Sequence, residues 1–551
     1  MSKYAIGIDY GTLSGRALLT DVSDGRAVAS SVFEYPHAVM DKELPCGKAL
    51  GEDWALQDPR DYLEVIYRTV PDVLRQSGVS PDDVIGVGVD FTACTLLPVK
   101  ADGTPLCCLD GYADEPNAYV KLWKHHAAQK YADRVNAAAH ERREPWIDNY
   151  GGKISSEWAL PKIWQVLDES PGVYAAADKF IEAADWVVWM LTGSESRSAC
   201  CAGYKEIYNG ATGYPSKDFF ISLDPGLENV TDKLGSVISP MGERAGFICP
   251  EMARRTGLSE KTAVAVAVID AHVFVPAAGI TEAGKMLAIM GTSTCHMVLG
   301  DVEKQIPGIC GVVRDGILPG FFGYEAGQPC VGDSFARFID SYVPQSYFDR
   351  AKEEGTGIHR YLRSKAERLA PGQSGLLVLD WFNGNRSTIV DADLQGMILG
   401  LTLSTTPEEI YRALIEATAF GTRMITDAFN DGGVPITEFY AAGGIAKKDP
   451  MMMQIYADVI KMPVRVVDSD QGGALGSAIF GAAAAGSAAG GYDDVFEAEK
   501  AMSAPTSKTY LPDEEDSRIY DKIYAEYKTL YDYFGRGEND VMKRLKALKS
   551  K

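Results

Sequence analysis

Two stretches lying half a chain apart carry the same punctuation: "YGTLSGRALLTD" (10–21) and "MGTSTCHMVLGD" (290–301). Each reads Gly-Thr, two small or hydroxyl residues, an apolar run and then Asp at the same offset. Each is preceded by an apolar run, "YAIGI" (4–8) and "KMLAIM" (285–290). Strand, tight turn and returning strand make a hairpin whose tip offers amide and hydroxyl donors. At 551 residues the chain is too long for one ordinary core, and a repeat at this separation predicts two lobes built alike. The first copy adds a peculiarity, an acid (Asp9) inside an apolar run just before Gly11-Thr12. A buried carboxylate is costly unless something positive or hydrogen-bonding meets it. A ligand rich in negative oxygens, held through a metal, explains both the acid and the Gly-Thr turn; a plain hairpin explains only the turn.

Charge sharpens that expectation. The formal net charge is −22, and no run of basic residues forms a stripe, which argues against nucleic acid and against an anionic membrane surface. A polyanionic ligand therefore needs a local cationic device, and a metal ion is the simplest. The ten cysteines include Cys107-Cys108 and Cys200-Cys201 but no C-x-x-C, so reduced thiols in a cytoplasmic protein are expected. Tyr4 already begins a strand, so no positive-then-apolar leader is expected. The apolar run 263–280 is interrupted by Asp270, His272 and Pro276 and is short for a membrane span.

Periodicity supplies a coarse map. The spacing predicts helices over 58–78, 117–135, 155–169 (started or interrupted at Pro161), 406–429 and 450–462, with a charged helical tail over 515–549. "DVIGVGVDF" (83–91) reads as a buried strand, "DGR" (24–26) as a hairpin turn and "TEFYAAGG" (437–444) as a strand running into glycines. "GGALGSAIFGAAAAG" (472–486) is a small-residue helix suited to close packing. Strands and helices alternate within each half, which predicts α/β lobes.

The chemistry-bearing residues fit few patterns. "GITEAGKM" (279–286) nearly matches a phosphate loop, but Met stands where Ser or Thr must reach Mg²⁺ and a strand follows, so it is rejected. No G-x-G-x-x-G opens a helix, so a dinucleotide fold lacks support. Asp270 ends the run "AVAVAVI", and strand ends are where α/β proteins place active groups; a helix N-cap is the plainer alternative. "AAGG" (441–444) would let a flat adenosine lie against bare backbone, or form a turn and nothing more. Lys205 and Glu325 are single polar residues among small and aromatic neighbours, which suits sugar hydroxyls and equally a surface loop. His125 and His126 on a Lys-rich helix read as solvated.

Together these residues resemble the FGGY carbohydrate kinases, within the larger actin, Hsp70 and hexokinase-type fold. The carboxyl-half signature is visible in "GMILGLTLSTTPEEIYRALIE" (396–416), through Gly396, Gly400, Glu409, Ala413 and Glu416, with Leu414 slightly off the pattern. The amino-half signature in "WALPKIWQVLDE" (158–169) keeps Lys162 and Trp164 but carries Ala159 where Ser, Thr or Pro is usual. "GVDFTACTLLPV" (88–99), "AYVKLWKHHAA" (118–128), "AGYK" (202–205), "GYEAGQ" (323–328) and "WFNGNRS" (381–387) resemble the branch of the family that acts on ribulose.

The resemblance implies a fold class of two ribonuclease H-like α/β lobes with a central cleft. Residues 1–278 would carry the sugar site and first hairpin, and 279–551 the second hairpin, the adenosine site and a helical tail. It implies ATP-dependent phosphorylation of the 5-hydroxyl of L-ribulose, with D-ribulose left open, in arabinose catabolism. Asp9 would position Mg²⁺ through water while Gly11, Thr12 and Ser14 face the phosphates. Gly291, Thr292, Ser293 and Thr294 would form the second phosphate hairpin, and Gly443, Gly444 and Gln454 would lie by adenosine. Ala93, Lys205, Asp270 and Glu325 would line the ketopentose pocket, with Asp270 as base. A homodimer is left open. The rival readings are another FGGY kinase, acting on xylulose, glycerol or a polyol, and an actin- or Hsp70-like conformational ATPase.

Overall fold

The computed structural model describes residues 2–549. Its frame is two sheets of matching design. The first contains β1 (Tyr4–Tyr10), β2 (Ser14–Asp21), β3 (Ala27–Glu34), β4 (Val84–Phe91), β5 (Arg244–Phe247), β6 (Ala263–Ala265) and β7 (Val268–Ile269). Its order is β5-β6-β4-β1-β2-β3, with β7 pairing β4 beyond β6. The second contains β8 (Lys285–Met290), β9 (Thr294–Gly300), β10 (Gly311–Arg314), β11 (Phe322–Gln328), β12 (Glu438–Ala442), β13 (Val464–Val467) and β14 (Thr506–Tyr510), in the order β10-β11-β9-β8-β12-β13-β14. Strand senses repeat. β1 is antiparallel to β2 and parallel to β4, as β8 is antiparallel to β9 and parallel to β12. The hairpins differ by one residue: four lie between paired Tyr10 and Gly15, three between paired Met290 and Thr294.

Most predicted helices form where periodicity put them. Helix α1 (Pro59–Ser77) has Asp58 accepting from the Arg60 amide at its start and ends at left-handed Gly78. Helix α2 (Ala159–Glu169) carries Pro161 in its first turn, where a missing N–H costs nothing. Later come α3 (Ala199–Lys205), α4 (Asp270–Ala277), α5 (Gly332–Tyr342), α6 (Pro407–Asp431), α7 (Gly444–Lys448), α8 (Pro450–Ile460) and α9 (Gly472–Ala485).

The 117–135 helix is a correction. A 3₁₀ turn (Pro116–Ala118) and a two-residue strand (Val120–Lys121) precede a helix that starts only at Gln129. Lys121 pairs with Leu56, and its ammonium meets Asn117 Oδ1 at 2.7 Å and lies 4.2 Å from the centre of the Trp54 ring. Those tertiary contacts outweigh local helical preference. His125 is also corrected: it is buried, accepts from the Ala55 amide at 3.2 Å and meets Gln165 Oε1 at 2.8 Å. Burial holds its pKa well below the usual imidazole value, so it is a neutral core residue. His126 is exposed.

Helix α9 lies far along the chain yet packs on the first sheet. A Cβ added at Gly7 would sit 1.7 Å from the Ala474 carbonyl oxygen, at Gly86 1.9 Å from that of Gly481, and at Gly88 1.9 Å from that of Ser477. Its other side meets α4, where Gly476 would clash with the Val273 carbonyl at 2.0 Å. One apolar core therefore joins Ile6, Ile8, Val87, Val273, Ala474 and Ala478 with Leu287, Met297 and Ala442 of the second sheet. Because Ser477's backbone has no room to retreat, Gly88→Ala is expected to destabilise the protein by about 3 kcal/mol. Gly210→Ala, where an added methyl meets nothing, should leave stability unchanged. Urea-denaturation midpoints of the two variants check this.

Candidate active site

The first hairpin turns its oxygens inward. The Gly11 carbonyl accepts from the Tyr35 hydroxyl at 2.9 Å, that of Thr12 from Gln57 Nε2 at 2.7 Å, and that of Leu13 from the Tyr35 amide at 2.9 Å. The Gly11 amide closes the turn onto the Ser14 carbonyl at 2.9 Å. With the carbonyl poles tied back, the tip can present amides and hydroxyls to an anion. Trp123 Nε1 donates to Thr12 Oγ1 at 3.2 Å across the same tip.

The second hairpin is built the same way. The Gly291 amide donates to the Ser293 carbonyl at 2.9 Å. The Gly291 and Thr292 carbonyls are capped by amides at the start of α5, from Gly332 at 3.0 Å and Val331 at 2.8 Å. Gly291 and Thr292 are exposed, Ser293 is partly buried, and Thr294 is buried with its hydroxyl unpartnered among the described residues. Gly443 adjoins this hairpin: its φ is 93°, and a Cβ there would sit 2.5 Å from the Met290 carbonyl oxygen. Gly444 faces open space. Gln454 lies on α8 with its amide donating to Asp458 Oδ1 and the Leu511 carbonyl, at 2.8 and 2.9 Å.

Beside the first hairpin the strand ends of the first sheet gather acids. Register sets Asp9 beside Asp90 and Asp90 beside Val268, so the chain reaches Asp270 two residues on, at the first turn of α4. Among the described residues no group of its own turn donates a hydrogen bond to the Asp9 carboxylate, which lies 3.4 Å from Arg16 Nε. Burial pushes the Asp9 carboxyl up, with Arg16 and Asp90 opposing. Burial and the neighbouring Asp9 charge push Asp90 well above the carboxylate range, against a 2.7 Å hydrogen bond from the Ser477 hydroxyl. The other Asp90 oxygen is buried without a partner among the described residues. Gly473, in the first turn of α9, faces both: a Cβ there would meet Asp9 Oδ2 at 3.2 Å and Asp90 Oδ1 at 3.4 Å.

Asp270 is half-buried and accepts from the Ala271 amide at 2.8 Å. The N-cap position itself falls on Ile269. Burial raises the Asp270 carboxyl to about 7; Asp9 and Glu325 add to the rise, while the Ala271 amide and Lys205 oppose it. Lys205 and Glu325 are not surface groups. They form a buried ion pair at 3.0 Å that joins α3 to β11, 120 residues on. Burial works to raise Glu325, but Lys205 and Arg386 pull it down to about 2. Ala93 precedes Cys94, whose thiol feels the Lys205 charge, on a loop held by two buried charges. The Lys162 ammonium donates to the Cys94 and Leu122 carbonyls, and Glu182 accepts from the Thr95 amide at 2.9 Å. Cys94 has φ 57°, a conformation that costs a non-glycine residue about 1–2 kcal/mol and needs such fixation. A cavity of about 670 Å³ lined by Trp146, Tyr214 and Lys304 includes none of these acids.

Sequence reasoning passed over Asp90, His272 and Arg386. Asp90 carried a readable signal, since it too is an acid inside an apolar run, "VIGVGVDF". Arg386 sits in an aperiodic polar loop, and nothing local marks its partner.

This geometry has relatives. Residues 4–275 match the model of the FGGY family of carbohydrate kinases, N-terminal domain, and residues 286–485 that of the C-terminal domain. The chain belongs to the FGGY family of carbohydrate kinases, with an actin/hexokinase-like fold. It is similar to a protein named ribulokinase from Bacillus licheniformis, 58% identical over 540 residues and covering 98% of each chain. Another of that name from Halalkalibacterium halodurans is 55% identical, covering all of this chain and 98% of its own. Among solved structures, a xylulose kinase from Lactobacillus acidophilus aligns with a TM-score of 0.79 at 18% identity, covering 96% of this chain and 98% of that one. Plasmodium falciparum glycerol kinase with ADP aligns at 0.76 and 15%, with the same coverage. At such identities these two speak to fold alone. Among the described residues no helix is long and apolar enough to cross a membrane.

Proposed function

We propose that this kinase transfers the γ-phosphoryl group of ATP to the 5-hydroxyl of L-ribulose, in the cytoplasm, as the step after arabinose isomerisation. The observation that carries the reading is a pair of inward-capped Gly-Thr hairpins together with an Asp270 that feels Asp9 on one side and the Lys205–Glu325 pair on the other. Full-length similarity to proteins named ribulokinase supports the choice of acceptor over xylulose or glycerol. Family membership sets aside a purely conformational ATPase.

In this reading residues 1–278 hold the sugar and the first hairpin, and 279–551 the second hairpin and adenosine. Gly11, Thr12 and Ser14 meet the phosphates from one side and Gly291 to Thr294 from the other. Gly443 and Gly444 leave bare backbone for adenosine, with the Gln454 side-chain oxygen beside it. Asp9, backed by Asp90, fits a divalent cation held through water: two crowded acids and an orphaned buried oxygen await positive charge. Bound there, Mg²⁺ would offset phosphate charge in a strongly acidic protein.

Ala93, Lys205 and Glu325 orient the ketopentose so that its terminal hydroxyl meets Asp270. The hydroxyl oxygen forms a bond to the γ-phosphorus as the bond to the β-phosphate oxygen breaks, and Asp270 takes the proton. Positioning and charge stabilisation carry such a transfer. A coupled ADP assay over pentuloses and pentitols tests the assignment. L-Ribulose should give the highest kcat/KM, and Asp270→Asn should keep sugar affinity while losing about 10²–10⁴-fold in kcat. Sugar-independent ADP release, or near-normal turnover by the variant, contradicts it.

The base works only as a carboxylate. With its pKa raised to about 7 by burial, kcat/KM for the sugar should fall about tenfold per unit below pH 7. Lys205 favours the charged form, so Lys205→Met should move this acid limb to higher pH; the limb's midpoint, not its height, is the readout.

A further inference from the structure

We propose that Arg386 is a further sugar-pocket residue, holding Glu325 with one edge of its guanidinium and offering the other edge to the oxygens of the bound ketopentose. This rests on the placing of the ketopentose beside Lys205 and Glu325. Arg386 Nη2 donates to Glu325 Oε1 at 2.5 Å, while the other carboxylate oxygen takes Lys205 Nζ at 3.0 Å and lies 3.6 Å from His272 Nε2. The cluster is graded in exposure. The side chains of Lys205 and His272 are 1% exposed and that of Glu325 5%, but that of Arg386 is 29% exposed. Arg386 is thus the member of the cluster that opens outward.

Its donors are mostly unspent. A guanidinium has five N–H groups in a fixed fork, and among the described residues the bond to Glu325 is the one side-chain hydrogen bond Arg386 makes. The fork matches paired oxygens, such as neighbouring sugar hydroxyls. Its location suits that role. A Cβ on Gly327 would meet Arg386 Cδ at 3.2 Å, and Gly327 pairs with Cys295, the residue after Thr294 of the second hairpin. The Cys295 thiol feels Arg386, Glu325, Asp270 and Lys205 together, so all four lie within electrostatic reach of one side chain. Lys205 and Arg386 balance Glu325 and the ionised Asp270, so Arg386's part is to orient oxygens and not to add net charge. His272 does not supply charge there. It is buried against Tyr204, ring centres 4.2 Å apart, with neither ring nitrogen hydrogen-bonded among the described residues.

A purely structural role for Arg386 would lower stability and leave substrate constants alone. The test measures KM for L-ribulose, KM for ATP and thermal midpoint in Arg386→Gln and Arg386→Lys. The expected result is a rise of about 30-fold or more in sugar KM for Arg386→Gln with ATP KM within twofold. Arg386→Lys, which keeps the charge but loses the fork, should recover less than half of that on a logarithmic scale. Unchanged sugar KM in either folded variant, or equal rises for both substrates, overturns the proposal. If wild-type protein does not phosphorylate L-ribulose, the functional assignment fails first; an active wild type with an unmoved sugar KM in the variants fails Arg386 alone. Should Arg386→Gln not fold, Arg386→Lys decides: a sugar KM within twofold of wild type overturns the proposal.

Discussion

Backbone-to-backbone contact between α9 and the first sheet is the constraint on which the rest depends. At Gly7, Gly86 and Gly88 the sheet has no side chains, and the helix carbonyls fill the space a Cβ would take. That approach sets Gly473 against Asp9 and Asp90 and puts the Ser477 hydroxyl on Asp90. It also seats α4 against α9, which fixes where Asp270 begins its helix. A larger residue along this seam would move the acids relative to one another, and phosphoryl transfer depends on position more than on covalent chemistry.

Electrostatics divides the site into two regimes. Around Asp9 and Asp90, acids are crowded and under-compensated, with Arg16 at 3.4 Å as the near cation. Around Glu325 the balance reverses, with Lys205 and Arg386 on one carboxylate. Buried ion pairs are weak sources of stability because desolvation cancels much of their attraction. The Lys205–Glu325–Arg386 group is therefore better read as a device for orientation, since it joins the two sheets' domains at the point where a sugar must be gripped. Asp270 lies between the regimes, and its raised pKa reflects burial together with acids on either side.

Much of this was legible in the chain. The twin Gly-Thr hairpins, the small-residue helix and the acid-bearing strands β1 and β4 all have local signatures, because turn chemistry and apolar runs are local properties. What was not legible depends on distant partners. Lys121 and His125 carry helix-like spacing, yet Leu56, Trp54 and Gln165 draw them into the middle of a small sheet and a core. Lys205 and Glu325 look like loop residues until the fold closes 120 positions between them. The resemblance puts Gln454 by adenosine, but nothing in the local sequence shows that Asp458 and Leu511 take its donors.

The claim that both hairpins grip one phosphate chain beside Asp270 is tested most directly by a crystal structure with L-ribulose and a non-hydrolysable ATP analogue. The account predicts γ-phosphate contacts from both the 11–14 and 291–294 turns, with an Asp270 carboxylate oxygen about 2.6–3.2 Å from the sugar's terminal hydroxyl. Phosphates held by one turn alone, or a sugar whose terminal hydroxyl points away from Asp270, would contradict it.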